Sequence, residues 1–514
     1  MSRVRTSGRG STALAVLLAA FIALDLIGSA PASPIRPPLP RDAGVPHWLG
    51  TLARWTGIAR LGHGVLVALA LVLLVAILGL FAIVCWESWN GRVSIGPVLM
   101  VTVASIAIFV IGPLILSRDV YSYASYGRMF AIHGTNPYVT SPDAFPLDPF
   151  TLVVSPAWRD TPSVYGPAFS LLSAGIGAVA KESAFGTILI FKLVSGLSIV
   201  IATLLAVAAA RIVRPEKEVF AAAAVGLNPA LVIHVVGGGH NDALVAGLLA
   251  GALLLALKLS RPASKGGADG ELAASVATGT AALGVTALIT LSAMVKIVAA
   301  LPLILWIGHL IRTGPPPRRF RIAAIHAATA AALTIAVTIP VYAGWNTVKA
   351  IANLASREGW ASAPRLVARG ARAIVGLFGD GSAERGFSVA VYAVFLAVLA
   401  VLVWRLFQER GWLPAESWGG ALLLLALAAP YLLPWYAAWF LPFLPLMKER
   451  RFILVGLVAA GVLALTGVPA EPGSDPALWR QMMLAVHYAA APVMLGLFVL
   501  AAVRVTKPTS VSDL

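Results

Sequence analysis

The chain has 514 residues, 59% hydrophobic and only 12% charged, with a mean hydropathy of +0.88; an ordinary soluble domain carries roughly 25% charged residues, so a soluble globular enzyme is excluded. The formal charge of +16 invites a nucleic-acid reading. The lysines and arginines collect in short connectors between apolar runs, however, which is the pattern of cytoplasmic loops and excludes a nucleic-acid face.

From the N-terminus, a basic decapeptide precedes an apolar run at 11–30, read as an uncleaved first helix rather than a signal peptide. Asp25, within it, is expected near the interface. A proline-rich stretch (31–62) leads to a second helix at 64–86 and a third at 95–116. The single cysteine, Cys85, ends the second helix and permits neither an intrachain disulfide nor a cysteine-based metal site.

Residues 117–165 then break the pattern. The segment SRDVYSYASYGRMFAIHGTNPY sets Arg118, Asp119, Arg128 and His133 among Tyr121, Tyr123 and Tyr126 and closes at Tyr165. It is too polar for lipid and too aromatic for a linker, and reads as the loop that carries the reaction. The run 166–180 is short and glycine-rich, as expected of a re-entrant or interfacial helix.

Spans then alternate. Runs at 185–210, 219–236, 243–257, 272–291, 297–311, 322–342 and 387–407 are separated by basic connectors on one side and by GGGHND, Lys296 and a long loop on the other. The run ALLLLALAAPYLLPWYAAWFLPFLPLM is expected to pass out and back around Trp435 and Tyr436, before helices at 452–467 and 481–503.

The reading is an all-α polytopic membrane protein of about 14 transmembrane helices (12–14) with both termini cytoplasmic. It divides into two N-terminal helices (1–94), a module holding the 117–165 loop (95–343), a basic outer loop (344–385) and C-terminal helices (386–514). More than half of the 38 lysines and arginines fall on the cytoplasmic side.

No cytoplasmic connector exceeds roughly 15 residues, and neither a P-loop nor a D-x-D motif is present, so no inner site for ATP or a nucleotide sugar is expected. The eight histidines show no helical metal-site spacing; neither metal nor cofactor is expected.

The remaining polar groups stand at outer helix ends. Asp119 reads as a base or as a helix cap. His240, with Asn241 and Asp242, follows three glycines that allow close backbone approach; it reads as a reactive group or as part of a capping turn. Lys296 reads as a phosphate contact or a snorkelling lysine. Trp435 and Tyr436 read as a sugar or lipid platform or as belt aromatics, and Arg365, Arg369 and Arg372 as a phosphate or acceptor loop or as headgroup contacts. A carboxylate base, a histidine, a cation and aromatics on one face suit group transfer from a membrane-borne donor. A transporter would instead bury charges in mid-helix, and a purely structural envelope protein would need no such convergence.

The runs SRDVYSYASYGRMFAIHGTNPY, VYGP, NPALVIHVVGGGHND, the Lys296 turn and PYLLPWYAAWFLPF, in that order, resemble the polyprenol-phosphomannose-dependent α-1,6-mannosyltransferases of the GT-C class, which extend lipomannan-type glycolipids. The resemblance implies a bacterial plasma-membrane enzyme working on the extracytoplasmic face. Its donor is polyprenyl-phosphate-mannose, its acceptor a membrane glycolipid, and it inverts the anomeric carbon. It also places the general base on Asp119 and sets His240 near the donor. Phosphate or donor contacts are expected from Lys296, Arg118, Arg128, Asn241 and Asp242, and ring contacts from Tyr121, Tyr126, Tyr165, Trp435 and Tyr436.

Overall fold

The computed structural model describes residues 8–40, 45–260, 278–349, 359–375, 381–409, 414–470 and 476–506, which form helices and turns with no strand among them. In a bilayer only closed barrels and helices satisfy their own backbone groups, and these runs are rich in Leu, Ala and Val, so helices result. In chain order they are α1 (Gly8–Ser29), α2 (His47–Trp55), α3 (His63–Trp89), α4 (Ile95–Ile111), α5 (Asp119–Ala131), α6 (Pro167–Ala180), α7 (Ala184–Val213) and α8 (Glu218–Gly226). They continue as α9 (Asp242–Leu259), α10 (Thr280–Val295), α11 (Ala300–Thr313), α12 (Arg319–Thr338), α13 (Ala363–Val375), α14 (Gly381–Glu409), α15 (Pro414–Leu427), α16 (Arg450–Ala464), α17 (Pro476–Ala485) and α18 (Ala491–Thr506).

Among the described residues, eight helical segments are long and apolar enough to cross a membrane, and five apolar helices are shorter. Several of the expected spans (95–111, 280–295, 297–313 and 414–427) are among the shorter helices, and one expected pass is missing for a local reason. The stretch after α15 does not return as a helix: Pro434, Pro442 and Pro445 break it into turns at Pro434–Tyr436, Ala437–Phe440 and Leu444–Leu446, because proline removes a donor and clashes with the preceding turn.

The most enclosed span is 215–236, with 94% of its apolar window buried, whereas 319–341 and 387–408 have only 22% buried and face outward. Within that central span α8 stops at Gly226, where Asn228 Oδ1 accepts from the Ala230 N–H at 3.0 Å. The chain resumes after Pro229 as a π-turn, Ala230–Val236. Such a wide turn re-aims the residues after it, here the three glycines and His240.

The 117–165 stretch is not an open loop. Its first third is α5, ten of whose thirteen residues are buried, and it lies so close to α6 that a Cβ on Gly127 would stand 2.1 Å from the Ser173 carbonyl oxygen. Asp25, four residues before the end of α1, is buried against neighbouring helices, 2% exposed.

Candidate active site

α5 starts at Asp119, so its carboxylate sits at the positive end of the helix dipole. The Asp119 amide donates to Ser117 Oγ at 3.1 Å, fixing the first turn. The carboxylate lies among apolar and aromatic walls yet keeps 26% of its surface open. Burial raises its pKa from 3.8 to about 6; Lys296 opposes the rise and Asp242 adds to it. A carboxylate that titrates there is still ionised at neutral pH and takes a proton more readily than an ordinary one.

His240 faces it, with Nδ1 3.5 Å from Asp119 Oδ2 and 3.4 Å from the Tyr123 hydroxyl. Its ring stacks on Trp435 with centroids 3.7 Å apart and planes 18° from parallel. Burial, then the charge of Lys296, hold its pKa well below 6.5, so the imidazole is neutral. The neutral ring held by stacking leaves Asp119 the more basic of the two facing groups.

The glycines explain how His240 arrives there. A Cβ on Gly237 would meet the Ile233 carbonyl at 2.3 Å, and one on Gly238 would stand 2.8 Å from His240 Nε2. Gly239 takes a left-handed φ of 64°, and its Cβ would lie 2.6 Å from Val120 Cγ2, beside Asp119. Only glycine lets the turn approach α5 this closely.

Asp242 opens α9 as Asp119 opens α5. It is fully buried and accepts from Lys296 Nζ at 2.8 and 2.9 Å and from Trp439 Nε1 at 2.6 Å. Lys296 stands 4.8 Å above the Tyr436 ring, which stacks on Trp439 at 3.9 Å. The Lys296 turn is brought up by Gly166, whose N–H donates to the Val295 carbonyl at 3.2 Å.

The structure therefore brings Asp119, His240, Asp242, Lys296, Trp435 and Tyr436 together. Tyr165 joins them, packing edge-on against Tyr123 at 4.8 Å. Arg118 borders the wall with its guanidinium 3.5 Å from the Val153 carbonyl. Asn241 is buried, and neither atom of its amide has a partner among the described residues.

Other expected contacts lie elsewhere. Arg128, expected as a donor-phosphate contact, is turned inward: it is 3% exposed, paired with Asp148 at 2.8 Å and Glu182 at 3.3 Å, and donates to the Lys181 carbonyl. Asp242 holds Lys296 instead of meeting an anion itself. Tyr121, two residues from Asp119, falls on the other side of α5 and packs against Phe150. Tyr126 borders the site, its ring 6.2 Å from that of Tyr165, but spends its hydroxyl on the Thr161 carbonyl at 2.8 Å.

Arg365, Arg369 and Arg372 lie on α13, which packs on α14 and α18. Arg365 covers Trp360 at 4.3 Å. The approach to α13 touches the turn carrying Trp435, since Gly359 N–H donates to the Pro430 carbonyl at 2.8 Å. Residues 350–358 and 376–380 of the basic loop lie outside the described residues.

Two further residues form the wall that were not among the expected contacts. Tyr123, noted only as one of the segment's tyrosines, is four residues after Asp119, a spacing that puts both on one face of α5, and Trp439 is brought in by the broken return.

The sequence model of the family described as "Alpha-(1->6)-mannopyranosyltransferase, N-terminal domain" matches residues 40–312. Curated relatives include alpha-(1->6)-mannopyranosyltransferase A of Mycobacterium tuberculosis, 27% identical over 77% of this chain and 74% of its own. A second alpha-(1->6)-mannopyranosyltransferase of that organism is 29% identical over 72% of this chain and 68% of its own. The A enzyme of Corynebacterium glutamicum is 26% identical over 68% and 70%. An oligosaccharyltransferase structure from Archaeoglobus fulgidus aligns with 80% of this chain and 53% of its own at 14% identity and a TM-score of 0.34.

Proposed function

This chain belongs to the alpha-(1->6)-mannopyranosyltransferase family, and we propose that it moves mannose from polyprenyl-phosphate-mannose to a hydroxyl of a membrane-anchored mannan or glycolipid, forming an α-1,6 link on the outer face of the bacterial plasma membrane. The observation that carries this reading is the contrast between its two carboxylates. Asp119 is partly open beside a neutral histidine, whereas Asp242 is sealed under Lys296 and Trp439.

With one carboxylate available, the chemistry is a single displacement. The acceptor hydroxyl attacks the anomeric carbon, its proton passes to Asp119, the carbon–oxygen bond to phosphate breaks, and polyprenyl phosphate leaves as an anion. A single displacement inverts the centre, turning a β-linked donor into an α-linked product. Lys296 has two of its three N–H groups committed to Asp242, so the third, with Arg118, is what this wall offers a phosphate.

A lipid-linked donor is supported by an apolar groove of about 520 Å³ that begins at Ile297, the residue after Lys296. It runs between α11 and α14 past Ala400, Val403 and Trp404 to Phe407. In this reading the five shorter apolar helices also sit at bilayer depth, completing a GT-C-type scaffold of 12–14 helices with both termini inside.

The test is Asp119→Asn in membranes given labelled polyprenyl-phosphate-mannose. Loss of a positioned base lowers the rate by about 10²–10⁴-fold, with protein levels unchanged. In the parent protein the rate falls as pH drops through about 6, where Asp119 takes up a proton, and that limb is absent from the residual rate of the variant. Full transfer by Asp119→Asn removes the base from this account.

A further inference from the structure

Lys192 is the ninth residue of the thirty-residue α7, 1% exposed, within an otherwise apolar span. A lysine in such a place normally snorkels toward water. This one turns inward, and its Nζ donates to the Gly112 carbonyl at 2.7 Å and the Pro113 carbonyl at 2.8 Å. Those oxygens lie where α4 stops, the end of a helix that favours a cation.

Gly112 and Pro113 begin the connector to Asp119. Its next residues are held by unrelated parts of the fold: the Ile115 N–H donates to the Gly237 carbonyl at 3.2 Å and the Leu116 N–H to the Ile35 carbonyl at 2.7 Å. Leu116 has a φ of 61°, in the left-handed region that a leucine occupies only when its surroundings impose it. Such a connector needs an anchor at its start, and Lys192 is bonded there.

The same side chain reaches the other half of the site. A Cβ on Gly239 would stand 3.4 Å from Lys192 Cγ, so the lysine stem floors the turn that presents His240. One helical turn on, Ser195 Oγ donates to the Val235 carbonyl at 2.9 Å, tying α7 to the π-turn. The counter-charge is close: Asp25 of α1 is buried against Gly112, where a Cβ would fall 2.1 Å from Asp25 Oδ1.

We propose that Lys192 is a positioning residue for mannosyl transfer: its ammonium anchors the connector that presents Asp119, its stem supports the turn that presents His240, and Asp25 supplies the counter-charge. It touches no substrate. It sets the distance between the two groups that do, and misplacement of a reacting group by about 1 Å costs up to about 10²-fold in rate. The assignment rests on the Asp119 mechanism above for its kinetic consequence, but not for its structural one.

The experiment compares Lys192→Met, Lys192→Gln and the double variant Lys192→Met with Asp25→Asn, purified as monodisperse full-length protein. Transfer from polyprenyl-phosphate-mannose is read as kcat and donor KM, and amide hydrogen exchange is read over residues 112–121 and 237–241. Lys192→Met is expected to lose about 10–100-fold in kcat with donor KM little changed, and to exchange faster in both segments. Lys192→Gln, which still donates to carbonyls, keeps most of the rate and of the protection. The double variant, relieved of a lone buried carboxylate, folds well but keeps the low kcat and the fast exchange.

Wild-type kcat and exchange in Lys192→Met, equal losses in Lys192→Gln and Lys192→Met, or recovered kcat in the double variant would each overturn the assignment. If the parent protein does not use the lipid-linked donor, the donor reading fails, and the exchange measurements still decide the role of Lys192.

Discussion

Asp119 and Asp242 each open a helix, yet their neighbours give them opposite roles. Asp119 has a neutral ring at 3.5 Å and an open side; Asp242 has an ammonium at 2.8 Å, an indole at 2.6 Å and no exposure. Lys296→Met would leave Asp242 buried without its cation, a loss of about 3–5 kcal/mol for a broken buried pair, seen as a lower melting temperature. Lys296→Met with Asp242→Asn is expected to regain most of that stability without regaining transfer. Unchanged melting in the single variant, with transfer lost, would mean that Lys296 serves the substrate alone and does not hold Asp242.

At this scale the sequence exposes some side chains and conceals others. Asp119 and His240 are legible because a carboxylate and a glycine-flanked histidine stand out at the ends of apolar runs. Arg128 looks like an anion site because Asp148 and Glu182, its partners 20 and 54 residues on, give no local cue. Lys192 and Asp25 attract no notice as reactive groups in long spans, because only tertiary packing reveals that they meet at Gly112.

Among the elements, the long spans are legible from hydropathy alone, since a run such as 63–89 has no stable alternative in lipid. α5 is not, because its tyrosines, serines and arginine resemble a wet loop. Close contact with α6 through Gly127 makes it a buried helix. The broken return at 434–446 likewise has the hydropathy of a full pass, although its prolines argue for turns.

The groove between α11 and α14 gives an element-scale prediction. Ala400 lies exposed on its wall, and Ala400→Trp fills it. KM for a long-chain polyprenyl-phosphate-mannose is expected to rise about tenfold, equivalent to roughly two methylenes fewer buried, with little change for a short-chain analogue. Equal KM values for both donors in the variant and its parent would show that the donor lipid does not use this groove.

Over the whole molecule, the site is assembled from parts distant in sequence. α1 contributes Asp25, the segment after it holds Leu116 through Ile35, α5 carries Asp119, the turn before α9 carries His240, and the broken return brings Trp435 and Trp439. The first helix and the segment after it thus pack directly against the connector to Asp119, although the family match begins only at residue 40. The class of the molecule and the side groups of its site are legible in composition and motif. Their convergence is not, because it depends on glycine contacts that no spacing rule encodes.

The central claim, a lipid-linked mannose donor used by Asp119, is tested most directly by offering the purified protein in proteoliposomes labelled polyprenyl-phosphate-mannose, polyprenyl-phosphate-glucose, polyprenyl-phosphate-arabinose and a nucleotide-linked mannose in parallel with a mannan-bearing glycolipid. The account predicts transfer from polyprenyl-phosphate-mannose alone, with an α-linked product. Transfer from the nucleotide sugar, or preferred use of another lipid-linked sugar, would contradict it.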